Sequence, residues 1–484
     1  MRSVPDSGLV EEPARDALAE AAARRPGRPA LIAGDVTVTW AELDTRVSGA
    51  ASWIASRTAP GDRVALVLGN TVDFVVAYFG VLRAGRVAVP LSPAYTADER
   101  DHAITDSGAT FVVDEIGQQE GTAHPVPRRS DLAVLLYTSG TSGRPKGAML
   151  THAALAANHE QLDRIDPPVV GPDDVVLLAV PFFHAYGLNT GLGSVAHHAA
   201  TGVLAERFDA TETLDLIERH AVTVTVGVPG MYQAWLAHPR AEVLARVRTA
   251  VCGAAPLDER VAARFRSLTG RAILIGYGLT ETAPVLTTTA VSHRDKSGSI
   301  GRPLPGVELL LRTAHGAELW RDGTASVDED LEVAESAGTD PGEIVVRGPN
   351  LFSGYWPDGR DGPDADGWWP TGDIAYADSD GDLVLVDRIG ELILVNGFNV
   401  YPAEIERVLS AHPRVTGAAV VGVPDPATGQ RPYAYVTVTG DPAPGPTELQ
   451  VHCAARLARF KVPDVELVTE LPRTAIGKIR KRDL

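Results

Sequence analysis

Short apolar runs recur along the chain, separated by longer stretches of helical or turn-forming composition. Residues 12–57 are predicted to be helical around a strand pair near Pro29–Trp40, and apolar runs follow at Arg63–Leu68, Val87–Pro90 and Phe111–Val113. Short apolar runs bounded by turn residues are typical of buried strands. Strands that alternate with helices form largely parallel sheets. We therefore predict an α/β fold with mainly parallel sheets in the N-terminal part.

Four later apolar runs share one further property, a loop of small residues at the end of each predicted strand. These strands are Val175–Val180, Val222–Val226, Val247–Cys252 and Ala272–Ile275, followed in turn by PFFHAYG, GVPGMY, GAAP and GYGLTET. Ligand sites in such sheets gather where the strands end. Glycine is common at any turn, so one such loop does not by itself indicate a ligand site. Four such loops in succession predict a surface without bulky side chains, where a ligand can bind.

The C-terminal part has a different pattern. Strands are predicted at Glu343–Gly348 and Leu383–Val386, on either side of WWPTGD, and the acidic segment Gly316–Pro341 is predicted to be a surface excursion. Beyond Asp387–Gly390 the composition indicates a small unit, with strands at Ala418–Val423 and Tyr433–Val438 and a helix at Thr447–Phe460. We predict a large N-terminal domain, residues 1–387, and a small α+β domain, residues 388–484.

The stretch YTSGTSGRPKG, Tyr137–Gly147, combines glycines, hydroxyl side chains and a lysine directly after a predicted buried strand at Ala133–Leu136. Glycine permits backbone conformations in which successive N–H groups converge on an anion. Lys146 adds a charge suited to phosphate. The spacing excludes a Walker P-loop and the dinucleotide fingerprint. The stretch predicts a phosphate-binding loop, with a flexible polar turn as the alternative.

Composition limits the possible partners and location. The chain has 62 acidic and 44 basic residues and a net charge of −18, so nucleic acid or an anionic membrane is not expected as a main partner. Two cysteines are too few for a disulfide scaffold or a zinc cluster. No apolar run is long enough to span a membrane, and the N-terminus lacks the pattern of a signal peptide. We expect a cytoplasmic protein.

With these segments in order, the chain resembles AMP-forming acyl-CoA ligases of the adenylate-forming superfamily, which includes luciferases and peptide-synthetase adenylation domains. The motifs that carry the resemblance are YTSGTSGRPKG, PFFHAYG, GAAPL, YGLTET, TGD, DRIGELI, GFNVYP and PRTAIGKI. The resemblance implies two half-reactions with ATP, Mg²⁺ and coenzyme A. A carboxylate attacks the ATP α-phosphate to give acyl-AMP and pyrophosphate, and the CoA thiol then displaces AMP.

The resemblance also implies roles for particular residues. The ATP- and AMP-binding positions are Thr138, Ser139, Gly140, Thr141, Ser142, Gly143, Lys146, Gly253, Ala254, Ala255, Gly276, Tyr277, Gly278, Asp373 and Arg388. Glu281 would bind Mg²⁺, which favours carboxylate and phosphate oxygens. Thr280 would donate to the α-phosphate, and Lys478 would bridge the acyl carboxylate and that phosphate. Taken singly, a loop glutamate or a lysine near a terminus is more often simply solvated.

For the second half-reaction the resemblance implies that the small domain rotates and is mobile. Gly397, Phe398 and Asn399 would then line the pantetheine tunnel, and His184 would gate the acyl site against water. A lone histidine is otherwise more often a core or surface residue. At the fourth position of DRIGE, where relatives usually carry aspartate or lysine as the hinge, this chain has Gly390.

The expected acyl pocket is apolar. Its positions are Phe183, Tyr186, Gly187, Gly227, Met231 and Ala283. Malonate-activating relatives carry an arginine at the position of Ala234, and amino acid activation requires an acidic partner that PFFHAYG does not supply. We therefore expect a hydrophobic acid, long-chain or bulky. The alternatives are a ligase restricted to one half-reaction with a partner adenylating enzyme, an acyl-AMP ligase that loads an acyl carrier protein, and an inactive nucleotide-binding regulator.

Overall fold

The computed structural model describes residues 12–117, 120–121, 127–138, 145–294, 296, 298–313, 315–321, 324–325, 338–395, 398–474 and 477–484, with the backbone alone at 324, 325 and 399. Contacts divide the chain into two units. The first consists of Met1–Val291, Pro303–Val307 and Arg347–Trp368, and the second of Ser292–Arg302, Glu308–Val346 and Trp369–Leu484.

The first unit alternates helices and strands, as the apolar pattern predicted. Its helices are α1 (Ala17–Arg24), α2 (Trp40–Ala55), α3 (Val72–Arg83), α4 (Ala97–Ser107), α5 (His152–Leu162), α6 (Ser194–His198), α7 (Ala210–Arg219), α8 (Pro229–Ala237) and α9 (Glu259–Thr269). Its strands are β1 (Pro29–Ala33), β2 (Val36–Thr39), β3 (Arg63–Leu66), β4 (Val87–Pro90), β5 (Phe111–Val113), β6 (Leu132–Thr138), β7 (Lys146–Thr151), β8 (Val175–Leu178), β9 (Thr201–Leu204), β10 (Val224–Gly227), β11 (Thr249–Cys252), β12 (Ile273–Gly278) and β13 (Val285–Thr288).

These strands form two mainly parallel sheets. One has the order β5-β3-β4-β6-β7, parallel except for the antiparallel pair β6 and β7. The other has the order β13-β12-β11-β10-β8-β9-β1-β2, with antiparallel pairs at its two ends. The short strand β14 (Arg302–Pro303) continues its β13 edge, where the boundary between the units falls. The two sheets confirm the predicted α/β class.

Local sequence signals explain where several of these helices begin. Thr39 and Thr96 each accept a hydrogen bond from the third helical N–H, while Glu42 and Glu99 bond back to the capping residue. This reciprocal capping box satisfies donors that a helix start otherwise leaves unpaired. Helix α3 follows the cap Thr71 and buries an apolar face. No helix in the described part of the chain is long and apolar enough to cross a membrane.

The second unit contains two further sheets. Its elements are β15 (Glu308–Arg312), β16 (Glu318–Arg321), β17 (Thr324–Ala325), β18 (Gly342–Arg347), β19 (Trp369–Ala377), β20 (Leu383–Arg388), β21 (Ile393–Val395), β22 (Phe398–Val400), α10 (Pro402–Ser410), β23 (Val415–Asp425), β24 (Gly429–Val438), α11 (Pro446–Ala454) and β25 (Asp464–Leu467). One sheet has the order β17-β16-β15-β18-β19-β20. The other has the order β22-β21-β24-β23, with β25 parallel to β24.

Three details differ from the sequence-based expectations. Helix α11 ends at Ala454, short of Phe460, and Arg459–Lys461 form a separate 3₁₀ turn. WPTGD lies inside strand β19 instead of between strands. In the acidic segment, Glu318–Arg321 forms β16 because Trp320 is buried in the sheet. The predicted domain boundary at residues 387 and 388 stays a prediction.

Candidate active site

The predicted phosphate loop connects two antiparallel strands. Strand β6 ends at Thr138 and β7 begins at Lys146, and these two residues face each other in the register of the pair. The loop positions Ser139, Gly140, Thr141, Ser142 and Gly143 lie outside the described residues. Lys146 Nζ is 3.1 Å from Asp361 Oδ2 and lies 4.9 Å above the ring of Tyr355. The loop lysine is therefore held at the base of the hairpin by a carboxylate and an aromatic face.

The small-residue loops meet at one edge of the larger sheet. In the parallel register, Gly227 is opposite Cys252, and Cys252 is opposite Ile275, so the residues that follow, Gly253 and Gly276, also lie side by side. A Cβ atom at Gly253 would lie 3.3 Å from the Gly276 carbonyl oxygen. Such a distance is too tight for a side chain to be added without movement. The register therefore brings together the loops that the sequence singled out.

Tyr186 lies at the same edge of the larger sheet. Its Oη lies within hydrogen-bond distance of the carbonyl oxygens of Gly227, at 3.2 Å, and Val251, at 3.3 Å. A Cβ atom at Gly253 would lie 3.2 Å from the Tyr186 ring. Tyr186 also begins a π-helical segment, Tyr186–Gly193, that continues into α6. Such segments are frequent at functional sites.

The remaining acyl-pocket candidates are buried or half-buried in the first unit. Met231 and Ala283 are buried, and a Cβ atom at Gly187 would lie 2.3 Å from the Pro181 carbonyl oxygen. The rings of Phe183 and His184 lie 4.8 Å apart. Burial lowers the pKa of His184 to about 4, so its imidazole is neutral near pH 7.

Glu281 is a buried carboxylate with a specific partner. Its side chain belongs to a residue only 6% exposed, and its Oε1 accepts a 2.6 Å hydrogen bond from Tyr355 Oη. Within the described part of the chain, Oε2 has no hydrogen bond. A buried carboxylate with one oxygen available suits Mg²⁺, which is bound through one or two carboxylates together with substrate phosphates. The residues present therefore fit the metal that the sequence predicted here.

Buried backbone contacts support the segment that carries Thr280 and Glu281. The Glu281 carbonyl accepts from Phe352 N at 2.8 Å, and the Thr282 carbonyl accepts from Asn350 Nδ2 at 2.7 Å. Asn350 Oδ1 in turn accepts from Gln161 Nε2 at 3.0 Å. Because these groups are buried, each lost partner would leave a costly unpaired polar atom.

Two more buried asparagines bind backbone carbonyl groups that follow Thr280 and Glu281 in the chain. Asn189 Nδ2 donates to the Ala283 carbonyl at 2.7 Å, and Asn158 Nδ2 donates to the Val285 carbonyl at 2.8 Å. Asn158 Oδ1 also accepts from Val285 N at 3.2 Å. Our sequence interpretation missed these residues and Tyr355. An amide side chain inside an otherwise apolar helical pattern, as at Asn158 and Asn189, was the available signal.

In the second unit, Asp373 and Arg388 form an ion pair across strands β19 and β20. They are register partners, and Arg388 Nε is 2.7 Å from Asp373 Oδ1. Asp373 is buried and Arg388 is partly exposed. This arrangement leaves a buried carboxylate in a fixed orientation, next to a guanidinium.

Lys478 belongs to the same unit and lies in the electrostatic field of that pair. Solvent reaches its side chain, yet its pKa is lowered, first by partial loss of solvation and then by the positive charge of Arg388. Glu391 and Asp373 oppose the shift. The charges of Arg388, Glu391 and Asp373 therefore act on Lys478 within the second unit.

The expected hinge residue Gly390 lies in a short 3₁₀ turn, Ile389–Glu391. Its neighbour Glu391 accepts from Lys481 Nζ at 2.6 Å, and Lys481 also lies 2.9 Å from Glu406. Asp387, on the other side of the turn, accepts from Ala403 N at 2.9 Å at the start of α10. The residues around Gly390 are thus fastened to the lysine-bearing C-terminal segment and to a helix.

The residues expected to contact CoA are described in part. Gly397 lies outside the described residues, and Asn399 is described by its backbone, which pairs with Leu394. Phe398 is 59% exposed and stacks on Phe460 with ring centroids 5.1 Å apart. A large aromatic side chain is therefore presented to solvent beside Gly397.

Comparison with known proteins identifies the family. A family model described as AMP-binding enzyme matches residues 18–126 and 114–356, and one described as AMP-binding enzyme C-terminal domain matches residues 404–478. A feruloyl-CoA synthase of Amycolatopsis is 35% identical over 95% of this chain and 96% of its own. A long-chain-fatty-acid–CoA ligase of Yersinia pestis is 33% identical over 96% of this chain and 92% of its own.

The fold agrees with these matches. The crystal structure of ATP-bound MatB from Rhodopseudomonas palustris superposes with a TM-score of 0.86, at 31% identity, and covers 97% of either chain. The matches span both units of the chain and the motifs on which the resemblance rested. The chain therefore belongs to the AMP-binding enzyme family, and within it is an AMP-forming acyl-CoA synthetase.

Proposed function

We propose that this acyl-CoA synthetase activates a hydrophobic carboxylic acid, long-chain or bulky, and transfers it to coenzyme A. The observation that carries the proposal is the composition of the positions assigned to the acyl pocket, Phe183, Tyr186, Gly227 and Met231. None of these residues bears a charge, and the one phenol among them is bonded to backbone carbonyls. An apolar surface of this kind binds an acid through its hydrocarbon part. The two relatives are named for long-chain fatty acids and feruloyl groups.

Family resemblance assigns nucleotide-binding roles to residues in each unit. We assign the phosphate loop from Thr138 to Lys146 to the β- and γ-phosphates, and the edge at Gly253 and Gly276, with Ala254, Ala255, Tyr277 and Gly278, to the adenine. The buried carboxylate of Asp373, fixed by Arg388, accepts hydrogen bonds from the ribose hydroxyls. Carboxylate acceptors of this kind give both affinity and orientation.

The chemical step requires two anions to meet. When bound, Mg²⁺ offsets the repulsion between the acid and the triphosphate. Glu281, with one carboxylate oxygen bonded to Tyr355, would hold the metal, and Thr280 would donate to the α-phosphate. Lys478 places a positive charge between the acyl carboxylate and that phosphate. These contributions act on charge that develops in the transition state, so they accelerate the reaction as well as bind the substrate.

Water exclusion and thioester formation involve further residues. The neutral imidazole of His184, held beside Phe183, closes the acyl site against water that would hydrolyse the adenylate. In the second half-reaction, rotation about Gly390 replaces Lys478 with the segment Gly397–Asn399, which lines the path of the pantetheine arm. Phe398 supplies an apolar wall for that arm.

The cytoplasm is the proposed location. Both cysteines, Cys252 and Cys453, are free and buried, and burial raises the pKa of each thiol. Free thiols are usual in a reducing compartment, whereas secreted domains tend to pair them.

The test is a panel of acids that runs from acetate and malonate through octanoate and palmitate to ferulate. Each acid is assayed for pyrophosphate release, and separately for thioester formation with CoA and with acyl carrier protein. Because each buried methylene contributes about 0.8 kcal/mol, kcat/KM should rise roughly fourfold per methylene until the pocket is full. A preference for malonate over the apolar acids would refute the proposal. Thioester formed only on carrier protein would refute CoA as the acceptor.

A matched pair of glycine substitutions tests where the acid binds. We expect Gly227→Ala to lower kcat/KM for bulky acids more than for acetate, because the added Cβ takes space in the proposed acyl pocket and meets the Tyr232 ring at 3.0 Å. Gly27→Ala is the control, since a Cβ there meets nothing within 4 Å. Equal losses for all acids in Gly227→Ala would place the acyl group elsewhere.

A further inference from the structure

Three side chains of metal-binding type converge in the first unit, where helices α5 and α6 end. Asp163 caps the C-terminus of α5, and His197 and His198 are the last two residues of α6. One potential ligand atom from each of the three lies within 4.8 Å of the other two. None of these residues belongs to the candidate active site, and no motif in the sequence pointed to them.

The two imidazoles approach the same carboxylate from different directions. His197 Nε2 is 2.7 Å from Asp163 Oδ2, and His198 Nε2 is 3.5 Å from Asp163 Oδ1. The two rings are nearly perpendicular, with centroids 4.8 Å apart. In a tetrahedral zinc site with bonds of about 2.1 Å, neighbouring donor atoms lie roughly 3.4 Å apart. The observed separations lie on either side of that value, and each imidazole faces a different oxygen of Asp163, so side-chain rotation is needed for all three to share one ion.

The cluster is held in place by its surroundings. His197 is 7% exposed, and its ring stacks on the buried ring of His159 at 5.0 Å. The His197 carbonyl accepts from Arg24 at 2.9 Å. Asp163, in contrast, is partly exposed, so solvent can complete a coordination shell. One imidazole is therefore held in place, and the carboxylate side of the cluster is open to solvent.

Two neighbouring arginines, Arg15 and Arg24, place positive charge beside the cluster and oppose a cation. Arg15 NH1 lies 3.5 Å from His197 Nδ1, while Arg15 Nε is bonded to Glu20 at 2.7 Å. The long contact to His197 is weak, and the bond to Glu20 offers Arg15 a partner away from the cluster. A metal ion would take the place of the proton between His197 Nε2 and Asp163, and the neutral ring would then carry its proton on Nδ1.

We propose that Asp163, His197 and His198 bind one divalent transition-metal ion, of the Zn²⁺ type, with water completing its coordination. Two imidazoles and one carboxylate suit Zn²⁺, Co²⁺ or Ni²⁺, whereas Mg²⁺ and Ca²⁺ prefer oxygen ligands alone. The site is therefore chemically distinct from the Mg²⁺ site assigned to Glu281. A bound ion would link the end of α5 to the end of α6.

The experiment titrates Co²⁺ into tag-free, chelator-treated full-length protein and follows visible absorption, with Zn²⁺ as the competitor. One Co²⁺ should bind per chain, Zn²⁺ should displace it, and excess Mg²⁺ should not. His198→Ala and Asp163→Asn should each weaken binding at least about tenfold. Arg15→Gln should tighten it, because the substitution removes a competing cation. His293→Ala, at an exposed histidine of the second unit, is the matched control.

Melting curves distinguish a variant that has lost a metal-binding side chain from one that no longer folds. In chelator, Asp163→Asn should melt close to wild type, since the carboxylate is partly exposed. Added Zn²⁺ should raise the melting temperature of wild type but not that of Asp163→Asn or His198→Ala. Equal Co²⁺ binding by wild type, His198→Ala and Asp163→Asn would overturn the proposal. So would displacement by Mg²⁺, or unchanged affinity in Arg15→Gln.

Discussion

Tyr355 Oη donates a 2.6 Å hydrogen bond to Glu281 Oε1, and the same ring lies beneath the ammonium of Lys146. One side chain thus contacts the carboxylate assigned to Mg²⁺ and the lysine of the phosphate loop. Its position orients Glu281 and occupies one carboxylate oxygen. We therefore propose that Tyr355 positions Glu281 for the adenylation step.

We expect Tyr355→Phe to slow adenylation about tenfold and to raise the Mg²⁺ concentration needed for half-maximal rate. The lost hydrogen bond to a charged group is worth roughly 1.5 kcal/mol. Pyrophosphate exchange measured across a Mg²⁺ series checks the prediction. Tyr433→Phe is the control, because Tyr433 binds Glu466 at the surface of the second unit. An unchanged Mg²⁺ dependence would contradict the role given to Tyr355.

Asn350→Ala should lower the free energy of unfolding by roughly 2–3 kcal/mol, since it leaves the Thr282 carbonyl and Gln161 without their buried partner. Adenylation should also slow, because the segment bearing Glu281 loses support. Urea denaturation compares this variant with Gln233→Ala, at an exposed helix position. If the two substitutions cost the same, the buried amide contributes nothing beyond a surface residue.

Lys478→Ala should reduce acyl-AMP formation by a factor of about 10²–10³, or roughly 3–4 kcal/mol, through loss of a positioned charge. Thioester formation from supplied acyl-AMP should stay near wild type. Lys461→Ala serves as the control, since Lys461 pairs with Glu404. A variant that forms acyl-AMP at the wild-type rate would show that Lys478 does not act in this step.

Gly390→Asp and Gly390→Lys should change the ratio of adenylation to thioester formation by up to about fivefold. Glycine permits rotation at the hinge but offers no side chain to stabilise either conformation, and one such contact is worth ~1 kcal/mol. Pyrophosphate exchange and CoA transfer are measured separately, with Gly445→Asp and Gly445→Lys as controls in open space. A ratio that moves less than about twofold would mean that Gly390 is a neutral variation.

The lowered pKa of His184 predicts a pH effect on stability. Between pH 6.5 and about 4 the unfolded chain protonates this histidine and the folded protein does not, so stability is lost as pH falls through that window. The loss at pH 5 relative to pH 7 should be about 1–2 kcal/mol smaller in His184→Gln than in wild type. His293→Gln should behave as wild type. Urea denaturation at both pH values makes the comparison.

The sequence by itself determined the fold class, the family and the small-residue loops that meet at one edge of the larger sheet. Each of these depends on local patterns: apolar runs, small residues directly after strands, and short motifs. Such signals lie within a few residues of the feature they predict, so one chain suffices to detect them.

Tertiary structure alone decided which residues support the chemistry. Tyr355 and Glu281 are 74 residues apart, and Asn350 and Thr282 are 68 apart. A hydrogen bond across such a distance depends on strand order and on which side chains share a buried face. Local composition gives no information on strand order or on which side chains share a buried face. The same reason explains why the cluster of Asp163, His197 and His198 became visible only once α5 and α6 were placed together.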